Sequence, residues 1–391
     1  MKRIVSAAVA AVFLFFAGNA FALTVEEEIA LLKEDMAQMK AAGTGASVAK
    51  SLGIDIQASA TLILQGADKV NDGSGKGRND GSYSLNVGIG KEFSNGAIAF
   101  MNLETGAGAG LNGHGLQTLG GINQDAIDGN SVIQIAQFWY QKPLFANKVT
   151  VTFGKIDPSA YFDQNQYAHN ETTQFVNKAF KNNAVIAFPG NRLGFRMVYS
   201  PVEMLDITYG YAASNAGWEN IDCNGFNALQ VNFKPFKGGN YRFMYWASNV
   251  HMPKFKDGEA SGGHGFAVSI DQKLSGTMGV FTRFGWRDPS VYATAMSWSA
   301  GTQFKGSLWT RKNDTAGLAV GQIMQSSDFT GSAVPALKKD AETQSELYYN
   351  FYINKNLSIS PAVQYILKPL GGNAADDNNV FVYGIRTQVV F

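Results

Sequence analysis

Charged residues that alternate with apolar side chains are the feature of this sequence best suited to chemistry. Counting every second residue places Arg196, Arg283 and Arg386 on the less apolar face of their β-strands, next to at least one apolar neighbour on the opposite face. Glu346 follows the same pattern, and Arg242 follows it less regularly. A guanidinium donates several hydrogen bonds and a carboxylate accepts them. Such a face therefore suits a polar solute with neighbouring hydroxyl groups, such as a sugar.

A second group of polar residues lies in the segment 156–190, where aromatic side chains are interleaved with carboxylates and amides. An aromatic ring offers an apolar surface to the C–H face of a sugar, while amides and carboxylates bind its hydroxyl groups. The alternative for each aromatic residue is that it only fixes the loop to the wall of the protein. The candidate residues in this segment are Asp163, Asn165, Asn170, Glu171 and Phe175.

Signals for catalysis, a cofactor or a metal are weak. Gly108, Gly110 and Gly113 have the spacing of a dinucleotide-binding fingerprint, but no helical pattern follows them. The four histidines have no metal-binding spacing, and the sequence has no G-x-S-x-G nucleophile motif. Cys223 is the only cysteine, which excludes an internal disulfide. We therefore predict no catalytic residue, no cofactor and no metal site.

The first residues predict export. Lys2 and Arg3 precede an apolar run, and Ala20-Phe21-Ala22 supplies small residues for cleavage, so residues 1–22 are interpreted as a signal peptide. The alternative is a membrane anchor, but the run is short for a span of about 20 residues. Without Lys2 and Arg3, 30 basic residues stand against 31 acidic ones. This near-neutral balance argues against binding to nucleic acid.

A short helical segment is predicted at 23–43. Thr24 precedes an acidic first turn, Gly43 ends the pattern, and apolar residues recur at spacings of three and four. Two heptads do not distinguish self-association or a periplasmic contact from packing against the main domain. The apolar positions are Val25, Ile29, Leu32, Met36 and Met39.

The remaining chain, 50–391, is a succession of strand patterns. Short turns alternate with long polar loops, among them 156–190 and 249–262, as in outer-membrane barrels. We predict an all-β fold, a 16-stranded antiparallel transmembrane β-barrel with a short N-terminal helical segment. A soluble β-sandwich is the alternative. The predicted strands are 52–65, 82–92, 96–104, 131–142, 147–155, 191–200, 204–213, 225–234, 239–248, 263–273, 276–286, 293–303, 315–324, 344–354, 357–367 and 380–391.

The chain ends in an alternating strand whose last residue is Phe391. The apolar face of this strand is expected to contact outer-membrane lipid. A terminal aromatic residue after alternating apolar positions resembles the signal by which the barrel-assembly machinery recognises its substrates. A lipid-facing strand and an assembly signal of this kind predict that the protein lies in the outer membrane of a Gram-negative-type bacterium.

Two stretches, 154–180 and 346–369 together with the closing YGIRTQVVF, resemble the carbohydrate-selective (OprB-like) porins. The resemblance implies a 16-stranded barrel that passes sugars across the outer membrane, with the loop 156–190 folded into the lumen. The alternatives are a barrel that sheathes a partner protein, such as an electron-carrying cytochrome, and a barrel enzyme of the lipase type.

Overall fold

The computed structural model describes residues 53–126, 131–214, 224–376 and 379–391. The predicted signal peptide, 1–22, and the predicted helical segment, 23–43, lie outside the described residues. No helix within the described part of the chain is long and apolar enough to cross a membrane.

Sixteen antiparallel strands form one closed barrel in which every strand pairs with its neighbours in sequence. Strand β1 closes the barrel by pairing with β16, in a register that runs from Ser59 opposite Val390 to Ala67 opposite Val382. The strands are β1 Ile54–Ala67, β2 Arg78–Glu92, β3 Ile98–Ala107, β4 Gln134–Leu144, β5 Val149–Ile156, β6 Arg192–Val202, β7 Leu205–Ala213, β8 Gly225–Phe233, β9 Gly239–Pro253, β10 Ala260–Lys273, β11 Met278–Arg287, β12 Thr294–Lys305, β13 Thr315–Gln325, β14 Ala341–Asn354, β15 Leu357–Leu367 and β16 Val380–Val390.

The predicted all-β fold and its sixteen strands are confirmed. One predicted connection differs from the structure, because β9 and β10 extend into the predicted loop 249–262. Their pairing continues there beyond a bulge at Ser261 and Gly263, so only residues 254–259 connect the two strands. A bulge lets a ladder continue past an irregular register, which a simple alternation count does not reveal.

The two faces of the barrel differ in polarity. On β6, Phe195 and Met197 are exposed on the outside, whereas Arg196 between them points inward. The same alternation on β16 leaves Tyr383 and Ile385 exposed. Exposed apolar area costs about 25 cal/mol per Å² in water, and this band recurs around the barrel, so the outer face is suited to lipid.

The connections alternate in length around the barrel. The β2–β3, β4–β5, β6–β7, β8–β9, β10–β11 and β14–β15 connections are tight turns, and the C-terminus lies at the same end. The opposite end carries longer loops, which hold three short helices: α1 Pro158–Tyr161, α2 Lys178–Lys181 and α3 Ser327–Ser332. The loop 157–191 and the described part of another long loop, 108–126, turn back and pack against the inner wall.

Candidate functional site

The loop between β5 and β6, residues 157–191, crosses the interior of the barrel. Its two helical turns are each started by a side-chain cap: Asp157 accepts from the backbone N–H of Ser159, and Asn177 accepts from that of Ala179. Caps of this kind satisfy the free N–H groups of a helix start. Buried backbone N–H groups need hydrogen-bond partners. Because the caps supply such partners, the two helical turns can lie inside the barrel against its wall.

Arg283 on β11 holds this loop on both sides of its middle, at Asp163 and Ala168 and again at Phe180. Its guanidinium donates to the carbonyl oxygens of Phe180 at 2.7 Å, Ala168 at 2.8 Å and Asp163 at 3.1 Å. The carboxylate of Asp163 lies 3.2 Å from the same guanidinium and accepts the backbone N–H of Asn183 at 2.6 Å. A planar fork of donors suits several carbonyls at once. The arginine therefore organises the backbone of the loop.

Glu346 on β14 and Arg386 on β16 hold the middle of the loop, residues 171–177. The carboxylate of Glu346 accepts the backbone N–H groups of Val176 at 2.9 Å and Asn177 at 2.8 Å. Arg386 donates to the carbonyl oxygens of Glu171 at 2.7 Å and Gln174 at 2.8 Å. Charge-assisted hydrogen bonds of this type are the stronger ones in proteins. Opposite charges on the wall thus bind opposite backbone groups of the loop.

An aromatic cluster adds an apolar contact between the loop and the wall. Phe175 from the loop lies edge-on to Tyr348 of β14 at 4.9 Å and packs against Phe281 of β11 at 5.8 Å. Phe180 completes the group on the loop side, 5.5 Å from Phe175. Tilted and edge-on pairs are favoured by the ring quadrupoles. Phe175 is therefore a packing residue with 1% exposure.

Residues 108–126, from the connection between β3 and β4, also enter the barrel. Glu342 of β14 accepts the backbone N–H of Leu119 at 2.8 Å, and Gln364 of β15 donates to the carbonyl of Ile122 at 3.0 Å. The two loops bond to each other, because the N–H of Gln124 donates to the carbonyl of Val176 at 2.8 Å. The resemblance to the porin family implied an inward position only for the β5–β6 loop.

The two loops contact the inner wall from β7, where Phe162 lies against Gly210, round to β16 and parts of β1 and β2. We call the wall opposite them, formed by the inner faces of β3 to β6, the open wall. Arg196 lies on this open wall, with its guanidinium 4.5 Å above the ring of Tyr161 from the loop. Glu104 of β3 faces inward beside Asn86, and loop carboxylates and Lys181 act on it electrostatically. We call this set the charged waist: Glu104, Arg192 and Arg196 on the wall, and Asp157, Glu171 and Lys181 on the loop.

Electrostatics within the loops follow from their packing. Burial alone would lower the pKa of Lys181, but Glu171, 3.2 Å away, and other carboxylates raise it, so the ammonium stays charged. Burial lowers the pKa of His169 well below its usual range, which keeps this imidazole neutral. Burial raises the pKa of Asp125 to about 7, and the Ser84 hydroxyl beside it opposes that shift.

The predicted site residues fall into two groups in the structure. Arg196 and Glu171 are partly exposed and Asn170 is exposed, and the side-chain oxygen of Asn170 accepts the N–H of Thr172 at 2.9 Å. The rest are nearly fully buried, which differs from the expectation that all of them line the pore. Their charges and amides are used to hold the loop or the wall together. The buried residues are Arg242, Arg283, Arg386, Glu346, Asp163, Asn165 and Phe175.

Two of these buried residues, Arg242 of β9 and Asn165 of the loop, form hydrogen bonds with strand β10. Arg242 donates to the carboxylate of Asp271 at 2.5 Å, and Asn240 donates to the other oxygen of that carboxylate at 2.9 Å. Asn165 from the loop donates to the carbonyl of Ile270 at 3.3 Å. Among the described residues, no three His, Cys, Asp or Glu side chains come together as metal ligands.

Sequence reasoning missed several groups that face the channel. Glu104 shares an inward face with Asn102, so a period-two count on β3 could have found it. Lys181 and Asp125 lie in loops, where no periodicity indicates which side chains point into the lumen. Arg192 lies four residues before Arg196 and therefore on the same face of β6.

Comparison with protein families gives one match that covers most of the chain. The family model described as "Carbohydrate-selective porin, OprB family" matches residues 90–245 and 228–391. Porin B of Pseudomonas aeruginosa is 23% identical over 278 residues, which are 65% of this chain and 56% of that protein. The matched region therefore spans about half the length of this curated relative.

Solved porin structures have the same fold. The high-pH structure of Pseudomonas putida OprB superposes with a TM-score of 0.75 at 17% identity, covering 88% of this chain and 96% of that chain. An anion-selective porin from Comamonas acidovorans superposes with a TM-score of 0.56 at 10% identity, covering 86% of this chain and 99% of the other. At these identities the likeness concerns the fold alone.

Proposed function

This chain belongs to the carbohydrate-selective porin (OprB) family, and on that premise we propose that it lets carbohydrates and similar small polar solutes diffuse across an outer membrane. The channel is the space between the inward loops and the open wall of β3 to β6. No energy source or catalytic step is required, because a water-filled barrel lets solutes follow their concentration gradients.

The single observation that carries this proposal is the narrowing of the barrel by two loops that are bonded to the wall. Arg283, Glu346 and Arg386 fix the β5–β6 loop through its backbone, which keeps the aperture in place. The remaining lining is mixed in charge and rich in hydrogen-bonding groups, as a path for neutral polyhydroxylated solutes should be. The loops occupy volume that a sheathed protein partner would need, which favours small solutes over that alternative.

The apolar outer band supports placement of 50–391 in the outer membrane, with removal of residues 1–22 during export. Phe391, which is 61% exposed, donates its backbone N–H to the carbonyl of Ala58 at 2.9 Å and follows the last strand directly. We assign it the role of the assembly signal. Residues 23–43 would provide self-association or a periplasmic contact.

Liposome swelling tests the proposal. Purified protein is reconstituted into liposomes, and the rate of swelling is measured with sugars of rising size, from a pentose to a trisaccharide. We expect swelling that slows as the sugar becomes larger, with protein-free liposomes as the control. Absence of swelling with every sugar, while ions still pass in planar bilayers, would overturn the carbohydrate function.

A further inference from the structure

Two aromatic side chains lie on the open wall, where the loops do not pack. Phe100 of β3 and Trp139 of β4 are cross-strand partners, with ring centroids 5.1 Å apart and planes inclined by 33°. Their neighbours Met101 and Phe138 form the adjacent pair, and Phe138 is 50% exposed on the lipid side. Because successive side chains of a strand alternate between faces, Phe100 and Trp139 face the lumen.

Glycines on the adjacent strand let the phenyl ring lie flat against the wall. A β-carbon on Gly88 would stand 3.3 Å from the Phe100 ring, and one on Gly90 would stand 3.9 Å from it. The ring therefore covers backbone where side chains are missing. The two glycines and the two aromatic rings together present a smooth apolar surface. Such a surface is unusual in a water-filled lumen, because contact between apolar area and water costs free energy.

Amide side chains border this surface. The indole N–H of Trp139 donates to the carbonyl oxygen of Gln137 at 3.2 Å, and the Thr152 hydroxyl donates to that of Gln141 at 3.0 Å. Asn102 lies beside Gln137 in the strand register and donates to Asn86 at 3.0 Å. These bonds use the side-chain oxygens of Gln137 and Gln141. The NH₂ groups of the two glutamines can therefore donate hydrogen bonds to a solute.

We propose that Phe100 and Trp139 form a binding platform for a pyranose ring, placed between the charged waist and the short-turn end of the barrel. The inference rests on the proposed carbohydrate function and assigns it a specific subsite. On β3, Phe100 lies four residues nearer the short β2–β3 turn than Glu104. At the charged waist a sugar is bound through hydrogen bonds to charged groups. When it moves on towards the short turns, it reaches a surface that binds it through its C–H face.

The chemistry of the platform selects among sugars. A pyranose in the chair form presents a flat patch of C–H groups, which stacks on an aromatic ring, while its edge hydroxyls reach flanking amides. An open-chain polyol has the hydroxyls but no rigid apolar face. The platform carries no charge, so it favours neutral sugars over sugar phosphates. Binding should therefore favour a sugar in its ring form over an open-chain polyol.

The test measures block of single-channel current by methyl β-glucoside and by sorbitol in planar bilayers. Trp139→Leu and Phe100→Leu should each weaken block by the glucoside about fivefold, the scale of one lost ring contact, and leave block by sorbitol and the open-channel conductance unchanged. Tyr140→Leu is the matched control, since Tyr140 lies next to Trp139 on the same strand but faces lipid beside Phe153.

Gly88→Ala provides a second approach that keeps both aromatic residues: the added methyl group would stand 3.3 Å from the Phe100 ring and tilt it slightly, so block by the glucoside should weaken less than in the leucine variants. Heat-modifiable migration in electrophoresis verifies that each variant has assembled. Unchanged glucoside block in both leucine variants overturns the platform while leaving the porin function intact. If the wild-type protein passes neither sugar, the proposed function fails, and the platform fails with it.

Discussion

The guanidinium of Arg283 lies 3.2 Å from the carboxylate of Asp163, and each residue is only 1% exposed. Both groups lie inside a barrel that encloses water, yet neither is in contact with it. A charge removed from water needs hydrogen bonds and an opposite charge. Asp163 and the three carbonyl oxygens around Arg283 supply these partners, so the pair acts as a clamp between β11 and the β5–β6 loop.

Arg283→Met should release this clamp. Breaking a buried ion pair by removing one partner costs about 3–5 kcal/mol, because the other charge remains buried. We expect higher single-channel conductance and a noisier open state, with the barrel still assembled. The double variant Arg283→Met/Asp163→Asn should recover part of the wild-type behaviour. A quiet channel of wild-type conductance in the single variant would show that the clamp does not hold the loop.

Glu346→Gln should loosen the middle of the loop. An amide keeps one acceptor oxygen but turns donors towards one of the two N–H groups that Glu346 now binds, those of Val176 and Asn177. Losing a charge-assisted hydrogen bond costs about 1.5–3 kcal/mol. We expect faster proteolysis within the loop and larger conductance fluctuations. Glu203→Gln, on the exposed β6–β7 turn, is the control and should behave as wild type.

Arg196 and Glu104 should set ion preference in opposite directions. Both point into the lumen from the open wall, where a low-dielectric surrounding strengthens their fields. Arg196→Gln should shift the zero-current potential in a salt gradient towards cation preference, and Glu104→Gln should shift it towards anion preference. Lys237→Gln, an exposed residue on the β8–β9 turn, serves as the control for Arg196. Shifts of the same sign for both variants would contradict this assignment.

Ion preference should depend on pH near neutrality through Asp125. Burial raises its pKa to about 7, although the Ser84 hydroxyl of β2 lowers it; Glu171 and Glu104 raise it further, and Arg386 opposes them. As the pH rises through about 7, the carboxyl group loses its proton and adds a negative charge to the lumen, so cation preference should increase. Because the folded loop raises the pKa of this carboxyl group from 3.8 to about 7, the loop loses stability as the pH rises between these two values.

The Asp125→Asn variant checks this dependence. Zero-current potentials measured at several pH values between about 5 and 9 should show a step for the wild type that is absent from the variant. A step of equal size in both proteins would assign the titration to another group.

Deleting residues 160–180 should widen the pore. The barrel strands keep their ladder, and the wall charges released from the loop become hydrated by lumen water rather than remaining buried. We expect assembled, heat-modifiable protein with higher conductance and no discrimination among sugars in liposome swelling. Unchanged conductance would mean that the loop does not narrow the channel.

The sequence alone determined the barrel. A β-strand has a period of two, so alternation around Arg196 or Arg386 reveals which face meets lipid without knowledge of any neighbour. The even number of alternating runs and the pattern of short and long connections then specify antiparallel pairing of neighbours. The resemblance to carbohydrate-selective porins was confirmed by the family match. Each of these features depends on residues that are close to one another in the sequence, and for that reason it can be predicted without the tertiary structure.

The tertiary structure decided which polar residues face solute and which hold the loops. Arg196 and Arg283 have the same signature in sequence, yet one lies over Tyr161 beside the channel and the other is buried under loop carbonyls. That difference depends on which wall a loop covers, and the path of a loop is set by long-range hydrogen bonds such as those of Glu346 to Val176. Periodicity says which way a strand side chain points. It carries no information about what the opposite side of the barrel places in front of it.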